Sequence, residues 1–494
     1  MFHDKYLEDL KIGEIKPKGW LLKQLELQRT GLTGHLDEIW EDVSENSGWL
    51  GGTGENWERG PYYIDGLIPL SYLLSDEQLI RKSEFWIHKI LMSQKENGFF
   101  GPSDNTDWWP RMIVLKAFKS YFEATNDKRI IDFMLSYLKY QKNNISHKPL
   151  KIWAHMRGAD EVIILKWLYE ITHEKFLYEL AKTLNNQTAD WRRYFQEFPY
   201  QTSMSNYMNW KETEENILRF GWENIEKENN ALFYKFHFSH GVNIAMAIKK
   251  IVADSFFEEF NLSDETTKAL TKLRRYHGFV NGMFSADEHL SGNNPNQGTE
   301  LCAVVEMMYS LEKIIQFTEV FYYADLLEKI AFNALPASIA PDFRAHQYDQ
   351  QPNQIKCTIA ERNWYNNLKD SNIFGLEPNF GCCTANMHQG WPKFVKHMWM
   401  RKGEEFYKII YGPSELKTNL KNGDILNIEE KTDYPFGNSI TFVIKENISI
   451  PVKLVFRIPE WSEGIKISLN RKDISSDINN GSFSITRKWE KEDI

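Results

Sequence analysis

Leu74-Ser75-Asp76-Glu77 closes one apolar run and opens the next, and the same kind of joint recurs down the chain. It returns as Ala124-Thr125-Asn126-Asp127, as Ile171-Thr172-His173-Glu174 and as Phe317-Thr318-Glu319. Behind the first joint Ile80, Ile87 and Leu91 fall at helical spacing, and behind the second Ile130, Ile131, Met134 and Leu138 do. The polar residue at each joint is suited to cap the helix that follows, because its side chain accepts free backbone N–H groups of the first turn. The steps are nearly constant: 51 residues from Asp76 to Asp127, 47 from Asp127 to Glu174, and 146 from Thr172 to Thr318, close to three steps. A unit of about fifty residues is one helical hairpin with its loop, and such units repeated over roughly four hundred residues predict a toroid of paired helices. Six pairs closing into an (α/α)6 barrel fit the length. An open superhelix is the rival, but Gly51-Gly52-Thr53-Gly54-Glu55-Asn56-Trp57-Glu58-Arg59-Gly60-Pro61 is a long breaker-rich loop of the kind that lines the mouth of a barrel.

The period changes near residue 403. Short strand-like runs follow at Phe406 to Ile410, Ile425 to Ile428, Ile440 to Ile444, Val452 to Ile458, Ile465 to Leu469 and Phe483 to Ile485. Turn signals such as Asn422-Gly423-Asp424 and Asn479-Asn480-Gly481 separate them. The expected architecture is therefore α+β and multidomain: a helical barrel over 1–402 and a β-sandwich over 403–494. The chain ends at Ile494 straight after Trp489-Glu490-Lys491-Glu492-Asp493, which reads as a sandwich cut short.

Composition excludes several classes. The net charge of −9 gives a nucleic-acid partner no support. No run of about eighteen apolar residues is present, so no membrane span is expected. The N-terminus, Met1-Phe2-His3-Asp4-Lys5, carries charges where an export signal needs an apolar run, so a cytoplasmic location is expected. Four cysteines in 494 residues are no disulfide framework and suit a reducing compartment. Aromatic residues make up 14%, which fits both a large ring-rich core and a sugar-binding cleft.

The cysteines carry the chemistry. Cys382 and Cys383 adjoin in Phe380-Gly381-Cys382-Cys383-Thr384, and Cys302 lies two places from Glu300. A lone free cysteine is more often a small apolar filler. Three thiols and one carboxylate, however, make a closed tetrahedral zinc site, since thiolates suit this borderline-soft ion and a carboxylate can complete its shell. A disulfide between Cys382 and Cys383 would demand strained geometry.

The Cys-Cys and Glu-x-Cys motifs, with the helical repeat, resemble glycoside hydrolase family 127, the bacterial β-L-arabinofuranosidases. Trp57-Glu58-Arg59-Gly60-Pro61-Tyr62-Tyr63, Asp107-Trp108-Trp109-Pro110-Arg111, His240-Gly241-Val242-Asn243 and Arg457-Ile458-Pro459-Glu460-Trp461 agree with the wider superfamily. The resemblance implies a Zn2+ ion held by Glu300, Cys302, Cys382 and Cys383, with Cys382 also the nucleophile of a retaining hydrolysis. It implies Glu288 as the acid/base, with the neighbouring Asp287 as alternative, and His240, Glu328 and Tyr348 as sugar contacts. The implied substrate is an arabinose-containing glycan or glycoconjugate, with a dimer compatible. The rivals are a glycosidase with a carboxylate nucleophile and a structural zinc, a non-catalytic carbohydrate-binding toroid, and a polysaccharide lyase or epimerase.

Overall fold

The structure, a computed structural model, describes residues 6–228, 230–365, 367–474 and 481–494. The N-terminal residues 1–5 and the turn residues Asn479 and Asn480 lie outside the described residues.

Six inner helical segments close a ring. Arg59–Leu74 packs on Trp109–Thr125, then follow Ala159–Thr172, Gly241–Ser255, Leu301–Thr318 and Gly390–Lys396, which returns to Arg59–Leu74. Outside them lie Glu77–Met92, Lys128–Asn144, Lys175–Gln187, Leu262–His277, Tyr322–Lys329 and Gly19–Thr30. This is the six-hairpin barrel. The outer helices are amphipathic: Glu77–Met92 buries Leu79, Ser83, Trp86, Ile87 and Ile90, one face at helical spacing. The inner ones are buried almost all round, so Leu301–Thr318 shows no polar stripe. Two joints cap as expected: the Asp76 carboxylate accepts from Leu79 N–H and the Asp127 carboxylate from Arg129 N–H. Glu174 makes no side-chain cap, and Glu319 ends a helix in the left-handed region rather than starting one.

Each inner segment sends one charge to a ring on the barrel axis. Asp65, Lys116, Asp160, Lys249, Glu306 and Lys393 are all buried. Lys116 lies 3.0 Å from Asp160, Lys249 2.6 Å from Asp160 and 3.4 Å from Glu306, and Lys393 2.6 Å from Asp65. Three lysines face three carboxylates, so the charge balances, as a water-excluded cluster must. Further along the axis Asp9 accepts from Lys313 at 2.9 Å and Lys119 at 3.1 Å. These cations hold its carboxyl well below the usual range despite burial.

The β-rich domain has two principal sheets. One runs Glu8–Asp9, Trp399–Lys402, Glu405–Lys408, Val452–Arg457, Ser482–Arg487, and the other Ile440–Ile444, Ile425–Thr432, Ser414–Asn419, Ile15–Pro17. Phe442 of the second sheet meets Trp399 and Phe456 of the first, at ring separations of 6.0 and 4.8 Å. Ser482–Arg487 pairs with Val452–Arg457 at the sheet edge.

Two features differ from the sequence reading. Glu8–Asp9 and Ile15–Pro17, expected within the helical domain, are strands of the β-sheets, drawn there by burial of Leu7, Leu10, Ile12 and Ile15. The run at Ile465 to Leu469 forms only Ser468–Leu469, paired with Lys472–Asp473 apart from the two sheets. That run has no buried face to hold it against a core.

Candidate active site

A cavity of about 480 Å³ opens where the inner helices begin. Its wall residues sit at helix starts: Glu58 before Arg59–Leu74, His240 before Gly241–Ser255, Glu300 before Leu301–Thr318, and Cys382 at the start of Cys382–Asn386. Helix N-termini present free N–H groups and partial positive charge, which favours carboxylates and thiolates there.

Glu300, Cys302, Cys382 and Cys383 bring one donor atom each within 4.8 Å of one another. Glu300 Oε1 lies 3.9 Å from Cys382 Sγ and 3.8 Å from Cys383 Sγ. The backbone N–H of Cys302 donates to Cys383 Sγ at 3.3 Å. Cys382 is the half-buried member and faces the cavity, whereas Cys383 is buried behind it. Burial raises the Cys302 and Cys383 thiols well above the usual range. The thiols of Cys302 and Cys383 donate to Cys382 and hold it well below that range. Burial, then the nearby Glu288 charge, raises the Glu300 carboxyl, whose Oε2 is buried and has no hydrogen-bond partner among the described residues. A compact set in which Glu300, Cys302 and Cys383 are pushed towards their neutral forms around the Cys382 thiolate is what a bound cation would relieve, so the cluster can hold a metal ion.

Glu288 stands alone at the tip of a hairpin whose arms pair Asp287 with His289 and Ala286 with Leu290. Its φ is +73°, a left-handed value that costs a non-glycine residue energy. Gly241 N–H donates to the Glu288 carbonyl at 2.9 Å and secures the turn. A Cβ on Gly241 would come within 2.3 Å of the Ala286 side chain, so this close approach requires glycine. The carboxylate has two donors. Tyr348 O–H donates to Oε2 at 2.6 Å, and His240 Nε2 lies 3.1 Å from Oε1. His240 Nδ1 accepts from Asn243 N–H at 3.4 Å, which leaves the ring proton on Nε2 to donate. The Tyr348 oxygen is also 3.8 Å from Cys382 Sγ, so it stands between sulfur and carboxylate.

Asp287, the last residue of the first arm, and Glu288, in the left-handed turn, send their carboxylates to different places. Asp287 is fully buried off the cavity, accepting from Ser291 Oγ and from Gln297 Nε2 at 2.9 Å. Glu328, expected as a sugar contact, does not reach the cavity. It pairs with Arg457 and accepts from Tyr411 N–H at 2.8 Å and Tyr434 O–H at 2.7 Å. It is a buried bond between barrel and β-domain, because the inner face of its helix meets the Arg457 strand. The structure thus brings Glu288, His240, Tyr348 and the four cluster residues together and leaves Glu328 elsewhere.

Sequence reasoning missed four charged wall residues, Glu55, Glu58, Arg59 and Arg157, of which Glu58 and Arg157 pair with each other. Glu58 Oε2 accepts from Trp109 Nε1 at 2.6 Å and faces Arg157 Nη1 at 3.4 Å. Burial raises the Glu58 carboxyl to about 7 against the pull of Arg157. Trp153 and Arg157 are one helical turn apart and stack, which is the signal in the sequence that marks this arginine as held rather than free.

The family model described as "Beta-L-arabinofuranosidase, GH127 catalytic domain" matches residues 40–396, and that of the GH127 middle domain matches 405–494. No curated protein matches the sequence at a significant level. Among solved structures, one titled a glycoside hydrolase superposes with TM-score 0.72 at 15% identity, over 99% of this chain and 78% of the other. A GH127 β-L-arabinofuranosidase from Geobacillus stearothermophilus T6 gives 0.70 at 16% identity, over 97% and 80%. A GH127 β-arabinofuranosidase gives 0.66 at 15%, over 99% and 80%. With both domain models matched in order along a six-hairpin barrel and its β-domain, the chain belongs to glycoside hydrolase family 127 and is a glycoside hydrolase.

Proposed function

We propose that the protein is a retaining exo-glycosidase that releases β-L-arabinofuranose from plant-derived glycans or glycoconjugates, with Cys382 as nucleophile and Glu288 as acid/base. The observation that carries the reading is Tyr348 O–H, 2.6 Å from Glu288 Oε2 and 3.8 Å from Cys382 Sγ. Sulfur and carboxylate can be no further apart than the sum of those distances. That suits a double displacement, where the two groups stand about 5–5.5 Å apart, better than an inverting pair about 6.5–9.5 Å apart.

Glu300, Cys302, Cys382 and Cys383 would hold zinc. Tetrahedral zinc with thiolate and carboxylate ligands sets neighbouring donors roughly 3.5–3.8 Å apart, and the Glu300-to-sulfur distances of 3.8 and 3.9 Å are close to this. When bound, the ion keeps its thiols deprotonated at neutral pH. Cys382 Sγ, the cluster sulfur most open to the cavity, attacks the anomeric carbon as Glu288 protonates the departing glycosidic oxygen. Glu288, now a carboxylate steadied by Tyr348 and His240, then takes a proton from the water that cleaves the thioglycosyl bond. Two substitutions at the same carbon return the original configuration. The four free cysteines fit a cytoplasmic protein.

The test is to trap the covalent intermediate with a slow or activated β-L-arabinofuranoside and to locate the label by mass spectrometry. A label on Cys382 supports the reading. A label on Glu58 or Glu300 would transfer the nucleophile to a carboxylate and leave the cysteines structural.

A further inference from the structure

Glu58 and Arg157 lie on the cavity wall but take no part in the chemistry above. Both are buried, 7% and 5% exposed, and both are held rigidly. Glu58 Oε2 accepts from Trp109 Nε1, and Arg157 Nε donates to Asn243 Oδ1 at 2.8 Å. The guanidinium is clamped between Trp109 and Trp153, 4.7 and 4.6 Å from the ring centroids. Trp153 in turn meets the ring of His240, 5.1 Å away, so the pair is anchored beside the groups that hold Glu288.

These anchoring contacts use Oε2 of Glu58 and Nε and Nη1 of Arg157. The other carboxylate oxygen and Nη2 make no hydrogen bond among the described residues, and neither is sealed away from the cavity. An acceptor and a donor are therefore left over on two buried groups held 3.4 Å apart. A sugar hydroxyl both donates and accepts, so two adjacent hydroxyls complement the pair: one donates to Glu58 and its neighbour accepts from Arg157.

Charge decides between a neutral and an anionic ligand. The wall also carries Glu55, Glu288 and Glu300, while Arg59 is committed to Asp42 and Glu377. Arg157 is already faced by Glu58, so a sugar carboxylate would enter a field of like charge.

We propose that Glu58 and Arg157 are the specificity-determining residues of this site, a carboxylate–guanidinium pair that grips two adjacent free hydroxyls of a neutral glycone and rejects deoxy and carboxylated sugars. The inference rests on reading the cavity as the sugar site and is independent of which residue is the nucleophile.

The test is equilibrium binding, which needs no turnover. The zinc-loaded full chain is titrated calorimetrically with L-arabinose, D-xylose, D-galactose, their 2-deoxy and 3-deoxy analogues, and D-galacturonate. The same titrations are run on Glu58→Gln and Arg157→Lys, which keep the size of each group, and folding is checked by circular dichroism. Losing a hydrogen bond to a buried charged group weakens binding roughly 10- to 150-fold. We expect a loss of that order in each variant for the tightest neutral sugar, and in the wild type for one deoxy analogue. That analogue should bind wild type and one of the folded variants alike. Wild-type affinity for every sugar retained in both variants overturns the proposal. So does galacturonate binding more tightly than galactose, or an absence of binding by the whole panel. If hydrolysis of an aryl β-L-arabinofuranoside is absent while these losses appear, the proposed function falls and the hydroxyl-reading pair stands.

Discussion

Tyr348→Phe removes one oxygen and little else. The ring is fully buried and sits edge-on to Phe380 at 5.7 Å, so phenylalanine keeps the packing. Its backbone stays bound, because Tyr348 N–H donates to Ser371 and its carbonyl accepts from Leu301 N–H, both without help from the hydroxyl. What is lost is the 2.6 Å bond to Glu288 Oε2 and the hydroxyl 3.8 Å from Cys382 Sγ. A hydrogen bond to a charged group is worth about 1.5–3 kcal/mol. Glu288 keeps the donor His240, and water in the cavity can reach Oε2, so the cost to folding should stay near the lower end. The cost to catalysis should not be offset in this way, because water does not hold sulfur and carboxylate at a fixed separation. The expected result is a fall in kcat of roughly 10- to 150-fold, which is the same energy read as a barrier. KM should be little changed and metal content unchanged, since the tyrosine is not a donor of the cluster. The assay is hydrolysis of an aryl β-L-arabinofuranoside, with zinc measured by plasma mass spectrometry. Turnover within about twofold of wild type would refute the argument that this hydroxyl organises the pair. Loss of zinc would show that it serves the cluster instead.

Cys382→Ser should abolish turnover with the fold retained, whereas Cys302→Ala and Cys383→Ala should lose metal and thermal stability together, because forming the site and folding are coupled. Glu288→Gly should lose activity and lower the melting temperature by less than Glu288→Ala, because both give up the bonds from Tyr348 and His240 but only glycine relieves about 1–2 kcal/mol of left-handed strain at φ +73°; equal losses in the two variants would deny that strain. Burial raises Glu161 from 4.5 to about 8, so its neutral form favours the fold: that contribution is complete below about pH 4.5, declines as pH rises and is gone above about pH 8. Glu161→Gln, which keeps a hydrogen-bonding partner for Gln141, should flatten this slope, of order 4–5 kcal/mol in chemical denaturation across that range. Lys249→Met strips the axial ring of one cation and leaves Asp160 and Glu306 short of a partner, which should cost about 3–5 kcal/mol in the same assay.

What could be read from the sequence follows from how each signal is written along the chain. Asp76 and Asp127 announce helix starts because capping is a contact between near neighbours, and the outer helices show their buried face as a spacing. Cys302, Cys382 and Cys383 are legible because thiols and a carboxylate in such company have few other uses. The axial ring was invisible for the opposite reason. An inner helix buried all round has no polar stripe, so Lys116 and Lys249 look like interruptions of an apolar pattern, not members of a set. Glu328 misled because its partner, Arg457, lies more than a hundred positions away in another domain. Nothing near Glu328 in the sequence distinguishes a carboxylate turned towards a sugar from one turned towards an arginine.

The three layers along the barrel axis explain why the site can be both crowded and stable. Cys302 and Glu306 are one helical turn apart on Leu301–Thr318, and Arg157 and Asp160 are nearly so across Gly158. The catalytic layer therefore rests directly on the charged ring. A ring that takes one member from every inner segment can be satisfied only if all six stand at matching heights, because a slip of one turn, about 5.4 Å, would strand a charge in a dry interior. The same condition sets the heights of the helix starts above it, and those starts are where Glu58, His240 and Glu300 are attached. Buried ion pairs add little net stability over apolar packing, but they penalise misregistered assemblies heavily. In this barrel that penalty works as an alignment device for the donor atoms of the cluster. It also accounts for the cost of Glu288: a backbone strained at φ +73° persists only where its surroundings are over-determined, and the fixed Gly241 helix start supplies that constraint.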